Sequence, residues 1–193
     1  EMCIRDRAMS IASLAGTVVI LALSTFIVKL ASKIGKKELS MIGCFISAAS
    51  FILLFIIHTH NVLVWVGLII VATIGTSMFN MVIWAMITDV IDESEVQTGV
   101  RQDGTIYSVY SFARKLGQAC SSGLSGVLLS IIGYTSVTAF DPKVVDGIYN
   151  ITCLVPAGGM ILLLLALWFL YPLNKKRVEE NAEKLRIKRN ENA

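Results

Sequence analysis

The residues best equipped for chemistry crowd into one stretch. "ITDVIDESEVQTGVRQDG", Ile87 to Gly104, follows a long run of apolar and small residues and gathers Asp89, Asp92, Glu93, Glu95, Arg101 and Asp103. Carboxylates and a guanidinium at this spacing can form charge-assisted hydrogen bonds that close in one conformation and break in another. A second set lies in the apolar runs on either side: Asn80 and Trp84 before the stretch, Tyr107, Tyr110, Arg114, Lys115 and Gln118 after it. Amide, indole, phenol and cationic groups can bind a polar ligand with a flat face. They contain no nucleophile with its base. No Ser/His/Asp set, phosphate-binding glycine loop or metal motif is spelled out elsewhere in the chain, so no enzyme is expected.

Each member of the second set has two readings. Arg114 and Lys115 lie eight or more residues into an apolar run, roughly 12–15 Å deep at the helical rise. A charge at that depth costs a few kcal/mol, about 2.5 or more, unless it reaches water, a partner or the interface. Either both snorkel to the membrane surface, or one lines a polar cavity. Neighbouring helix positions differ by about 100°, so the two cannot face one cavity equally. The expectation is Lys115 in the cavity, with Arg114 paired to a neighbouring helix or to the carboxylates of the charged stretch. Asn80 is an amide in an apolar run and needs a partner. Trp84 is a stacking surface for a sugar or an interfacial anchor. Tyr107 and Tyr110 donate hydrogen bonds and stack on a ring, or sit at the interface. Gln118 shares its run with Gly117, Ala119, Ser121, Ser122, Gly123, Ser125 and Gly126, small residues that let helices approach closely. Packing is the expected role of that face, and a ligand contact from Gln118 is the alternative.

The elements that must carry these residues follow from composition. Only 16% of the 193 residues are charged and the mean hydropathy is +0.71, whereas soluble domains are about 25% charged. About five runs approach the ~20 apolar residues that cross a bilayer as a helix: near 9–30, 39–57, 62–87, 105–132 and 147–171. None alternates like a barrel strand, so the predicted class is an all-α membrane protein. "PAGG", Pro156 to Gly159, predicts a local break in the last run. Cys3, Cys44, Cys120 and Cys153 have no metal or disulfide spacing and read as small apolar side chains. The net charge of +3 is too small and too local for nucleic-acid binding. "EMCIRDR", residues 1–7, reads as a cloning scar or the edge of a fragment.

Orientation comes from lysine and arginine. Lys29, Lys33, Lys36 and Lys37 follow the first run, "HTHN" after the second has none, and Lys143 alone follows the fourth. The tail 174–193 carries Lys175, Lys176, Arg177, Lys184, Arg186, Lys188 and Arg189. The charged stretch and the tail are therefore expected in the cytoplasm, with the tail a solvated helix. His58 and His60 fall in the outer loop, where no metal or proton role is expected.

Three blocks resemble a known family. "TDVIDESEVQTGVRQDGTIYSVYSFARKLGQA" is similar to the link and eleventh helix of the glycoside–pentoside–hexuronide:cation symporters, which include the melibiose transporters of the major facilitator superfamily. The family pattern of an Asp-x-x-Asp pair, an acidic residue, then Gly-x-Arg, an acidic residue and Gly or Ser falls here on Asp89, Asp92, Glu95, Gly99, Arg101, Asp103 and Gly104. "YPLNKKRVEENAEKL" and "ASKIGKKEL" resemble the family's C-terminal tail and its link between helices eight and nine.

The resemblance implies helices eight to twelve of a twelve-helix carrier, the C-terminal part only, in a bacterial inner membrane with the C-terminus in the cytoplasm. It implies a cytoplasmic gate made by Asp89, Asp92, Glu95, Arg101 and Asp103, and it matches Lys115 to the family's helix-eleven lysine near the cation and sugar sites. Asn80 stands where melibiose transporters carry a sugar-contacting aromatic, and Trp84 is one turn away, which points away from melibiose itself. Arg114 beside Lys115 is closer to the pentoside and hexuronide branches, so a xyloside or glucuronide is implied. The implied partners are the lipid bilayer, a sugar or glycoside, and the N-terminal half of the carrier. That half would hold the ligands of the coupling cation, sodium or proton, and no other cofactor is implied. The alternatives are a lysolipid or other amphiphile carrier of the same fold, and a membrane sensor or scaffold that does not transport.

Overall fold

The computed structural model describes residues 26–59 and 61–191. The expected span near 9–30 lies largely outside them, as do residues 1–7 and His60. Among the described residues every regular element is a helix: α1 over 26–34, α2 Lys36–Ile57, α3 Val62–Thr98, α4 Asp103–Ile131, α5 Pro142–Phe169 and α6 Lys175–Glu191. Helices pair every backbone group within one segment, which an apolar solvent demands.

The boundaries have local causes. Gly35, at φ 119°, turns the chain between α1 and α2. The Asn61 side chain accepts from the Leu63 amide at 3.0 Å and caps the start of α3. Gly99, at φ 77°, ends α3 in the left-handed region and sends its amide to the Glu95 carbonyl at 2.9 Å. Pro142 opens α5, where its missing N–H is harmless.

One of these elements differs from expectation. α5 runs unbroken through Pro156, because a proline removes one hydrogen bond and neighbouring groups in a membrane bundle tolerate the loss. The helix that carries the expected span near 62–87 continues to Thr98.

α2 packs between α3 and α5. Its closest approach is to α3, at two glycines. A Cβ on Gly43 would lie 2.5 Å from the Gly75 carbonyl oxygen, and a Cβ on Gly75 would lie 2.5 Å from that of Gly43. Ser47 and Thr76 hydroxyls share a hydrogen bond of 3.0 Å beside this contact. Tyr149 of α5 donates to the Leu54 carbonyl at 2.8 Å. Ile27, Leu39, Cys44, Val82, Met86 and Leu167 form the buried core around the seam. In lipid such packing, together with interhelical hydrogen bonds, holds helices together, since the tails are as apolar as the side chains.

Three described helices are long and apolar enough to cross a membrane by length and composition: Lys36–Ile57, Leu63–Thr98 and Pro142–Phe169. α4 is also long, at 29 residues, but serines, glycines and the Arg114–Lys115 pair dilute it. Among the described residues α4 buries no side chain, and its main contact is with α3. Its small face does not make the packing expected of it among the described residues: Cβ atoms added at Gly117, Gly123 and Gly126 would meet nothing within 4 Å. The close glycine contact sits instead between α2 and α3.

Candidate substrate cleft and ion-pair cluster

α3 and α4 hold the first site between them. Asn80 and Trp84 are one turn apart on α3. Tyr107, Tyr110 and Arg114 recur at three- and four-residue spacing on α4, so they share a face. Trp84 is the hub: Tyr107 stacks on it with centroids 6.3 Å apart, Tyr110 meets it edge-on at 5.4 Å, and the Arg114 guanidinium lies 5.7 Å from its ring centroid. These are aromatic-pair and cation–π geometries. A cleft of about 550 Å³ opens beside the cluster, lined by Phe79, Asn80, Ile83, Trp84, Tyr110, Ala113 and Arg114. A smaller one of about 260 Å³ adjoins it, lined by Trp84, Tyr110, Ser111, Arg114, Lys115 and Gln118. No acidic residue lines either cleft.

The structure thus brings Asn80, Trp84, Tyr110 and Arg114 to one cleft and Lys115 and Gln118 to its neighbour, with Tyr107 backing the indole. Of the two partners expected for Arg114, a neighbouring helix or the carboxylates of the charged stretch, it meets the first, and no ion pair with a carboxylate forms among the described residues. Arg114 takes the aromatic face instead, because Trp84 lies within reach on α3 and the acidic residues sit more than a turn further on.

The second site lies at the C-terminal end of α3. Arg101 Nη1 donates to Asp92 Oδ1 and to Glu95 Oε2, both at 2.9 Å, and its Nε donates to Asp103 Oδ2 at 2.8 Å. Asp92 and Glu95 project from one side of the last turns of α3, Gly99 reverses the chain, and Asp103 opens α4. The three carboxylates, Glu95 foremost, raise the Arg101 pKa further above its ordinary value. Four of the five expected gate residues therefore share one cluster.

Asp89, expected with them, lies outside the cluster. It is buried and accepts from Lys36 Nζ at 2.6 Å, which ties the start of α2 to α3. It sits one turn nearer the membrane than Asp92 and faces α2 rather than the link.

Sequence reasoning missed Glu93. Its carboxylate accepts from both Arg177 nitrogens, Nε at 3.2 Å and Nη2, and from the Asn181 and Gln97 side-chain amides. Glu93 lies outside the apolar stretch of α3, and these contacts, the Arg177 hydrogen bond first, hold its carboxyl below the usual range. One signal was present: Glu93 follows Asp89 by four residues, on a different side of α3 from Glu95. The tail is likewise not a freely solvated helix, since Leu173, Asn181 and Leu185 are buried against the bundle.

These features define a helical membrane protein with a cation-and-aromatic cleft between two helices and an ion-pair cluster closing one end. The family model described as MFS/sugar transport protein matches residues 3–175, and the chain belongs to that family. It is 33% identical over 168 residues to the glucuronide carrier protein homolog of Escherichia coli, which covers 87% of this chain and 36% of that protein. It is 38% identical over 152 residues to the uncharacterized symporter YjmB of Bacillus subtilis, covering 79% of this chain and 33% of that one. The chain spans about a third of the length of these relatives.

Proposed function

We propose that the chain is part of a secondary active transporter that moves a sugar or glycoside together with a cation, sodium or proton, by alternating access. It would supply helices eight to twelve of a twelve-helix carrier in the bacterial inner membrane, with the Arg101 cluster and α6 in the cytoplasm. The clustering of lysines and arginines in the α1–α2 link and the tail supports that orientation. The ligands of the coupling cation belong to the other half of the carrier.

One observation carries the substrate reading. Arg114 lies over Trp84 and beside Lys115, in clefts lined by no carboxylate. Two cations next to a flat indole suit a ring that bears negative charge, and the glucuronide carrier homolog among the relatives supports a hexuronide. Asn80, Tyr110 and Gln118 would bind hydroxyls. The Arg101 cluster would close the cytoplasmic side when the carrier faces outward and part when it faces inward.

The test is uptake of a labelled glucuronide by proteoliposomes of the complete carrier, under a sodium or a proton gradient. Gradient-driven uptake that Lys115→Ala abolishes, while the protein still reaches the membrane, supports the assignment. Normal gradient-driven uptake by that variant removes Lys115 from the coupling site. Uptake of a lysolipid in place of the sugar would favour an amphiphile carrier, for which Phe79, Ile83 and Ala113 supply the apolar wall.

A further inference from the structure

We infer that the connection between α4 and α5, residues 133–141, is a membrane anchor: it seats the Val137 and Phe140 side chains in the interfacial zone of the lipid bilayer, at the end of the bundle opposite the Arg101 cluster. Asp103 of that cluster opens α4, and 29 helical residues carry the chain about 43 Å away from it before the connection begins. The inference rests on the membrane setting of the helices and on no particular substrate.

The connection is turned inside out relative to a loop that meets water. Gly133, at φ 72°, reverses the chain at the end of α4. Its amide donates to the Ser130 carbonyl and the Tyr134 amide to that of Leu129, both at 3.0 Å. The Thr135 amide donates to Thr138 Oγ1 at 2.9 Å, and the Thr138 amide to Thr135 Oγ1 at 3.2 Å. The two hydroxyls share a further bond of 2.8 Å, and Thr138 Oγ1 donates to the Gly133 carbonyl at 2.7 Å. The Asp141 amide closes the turn on the Thr138 carbonyl at 2.9 Å. Polar groups are thus spent inside the loop, while Val137 is 88% exposed and Phe140 91%. Internal pairing of polar groups is what a medium poor in water demands. Apolar and aromatic side chains on the outside suit the membrane boundary.

The surroundings set the depth. Leu124, Val127 and Ile131, exposed at three- and four-residue spacing on α4, lead up to the connection. Beyond it the exposed Asp141, Lys143 and Asp146 mark where water begins. The loop therefore lies between an apolar helix face and a charged first turn, where apolar groups seat about 5–10 Å into the boundary. α4 is the helix that most needs such a hold. Among the described residues it buries no side chain, and its main contact is with α3. Helix tilt and rotation in a bilayer follow from packing and from interfacial anchors. With little packing, the anchor fixes the far end of α4, and with it the placing of Tyr110 and Arg114 against Trp84. The hold extends to α5: a Cβ on Gly147 would lie 3.0 Å from Ile132 Cγ2, so the end of α4 is pressed against the next helix.

Spin labels on the complete carrier in phosphatidylethanolamine–phosphatidylglycerol vesicles test this. Nitroxides are attached to Val137→Cys, Phe140→Cys and Lys143→Cys, each in a background freed of other reactive thiols, Cys120→Ser included. Collision with oxygen, which concentrates in lipid, is compared with collision with a water-soluble nickel chelate. The oxygen-to-nickel ratio should be several-fold higher at 137 and 140 than at 143. Equal ratios at all three positions would place the loop in water and overturn the anchor. Loss of both kinds of collision at 137 and 140 would show that protein covers them, the other half of the carrier or a partner, and would overturn it equally. If the labelled variants fail to fold, Phe140→Trp gives a second measurement. Its added emission should be quenched by lipids brominated near the headgroup and spared by acrylamide in water, and the reverse pattern would sink the inference. Neither readout involves transport, so a failed anchor and a failed transport assignment remain separable.

Discussion

The Arg114 guanidinium lies over the Trp84 indole, 5.7 Å from its centroid, and among the described residues it meets no carboxylate. A cation held by a π face keeps its N–H donors available, because the ring attracts the charge without accepting all the hydrogen bonds. Tyr107 stacks on the same indole.

That arrangement predicts a graded loss at Arg114. Hydrogen bonds to a charged partner contribute about 1.5–3 kcal/mol, so Arg114→Gln should weaken apparent affinity for an anionic sugar by roughly ten- to a hundred-fold. Arg114→Lys should fall between the two, since it keeps the charge but loses the planar fork. The concentration dependence of uptake measures it. Equal losses for a neutral and an anionic sugar would count against an anion-binding role.

At the seam of α2 and α3, Gly43→Leu must push backbones apart, since even its Cβ would lie 2.5 Å from the Gly75 oxygen and 2.9 Å from Met78 Cβ. Overpacking of this kind costs about 1–3 kcal/mol. Gly67→Ala, whose Cβ would meet nothing within 4 Å, should be close to neutral. Thermal unfolding in detergent ranks the two, and a neutral Gly43→Leu would mean that the seam is not as tight as described.

The Lys36–Asp89 pair gives a third expectation. Removing one partner of a buried pair costs about 3–5 kcal/mol. Lys36 keeps about a third of its side chain exposed, so solvent screening brings Lys36→Met below that range. The double variant Lys36→Met with Asp89→Asn should be more stable than Lys36→Met alone, because no lone carboxylate stays buried. A double variant less stable than Lys36→Met would contradict the pairing.

Tail docking should depend on pH with a definite sign. Contacts with Arg177, then Asn181 and Gln97, depress the Glu93 pKa. A depressed carboxyl contributes its full stabilisation above its free value, about 4.3 for glutamate, and loses it as pH falls through the lower docked value. Proteolysis of the tail, with a protease active across the range, should be flat between about pH 6 and 8 and rise only in acid. A tail released near neutrality would assign its docking to other groups.

The sequence made the helices, the charged link and the chemical character of the cleft legible, because apolar runs and charge clusters are local signals. It left out what depends on distant pairing. Asp89 finds Lys36, 53 residues away, and Glu93 finds Arg177, 84 residues away. Neither distance leaves a local trace. Small-residue spacing suggested close packing on α4, yet that spacing is a permission and not a contact. Gly43 and Gly75 make the closest approach of α2 to α3 instead. Trp84 offered both a stacking and an anchoring role, and only the position of α4 decided which atoms surround it.

The length of α3 has a mechanical consequence. With 37 residues, it is a rod of about 55 Å at the helical rise. Its tightest contact, Gly75 against Gly43, lies well toward one end and leaves an arm of about 35 Å to Thr98. Once Lys36 releases Asp89, that contact becomes a fulcrum. A tilt of about 10° around it would sweep the far tip through about 6 Å, roughly twice the reach of a hydrogen bond. A small rotation deep among the helices thus becomes, at the end of the arm, a displacement large enough to pull Glu93 and Glu95 off the tail in a single stroke.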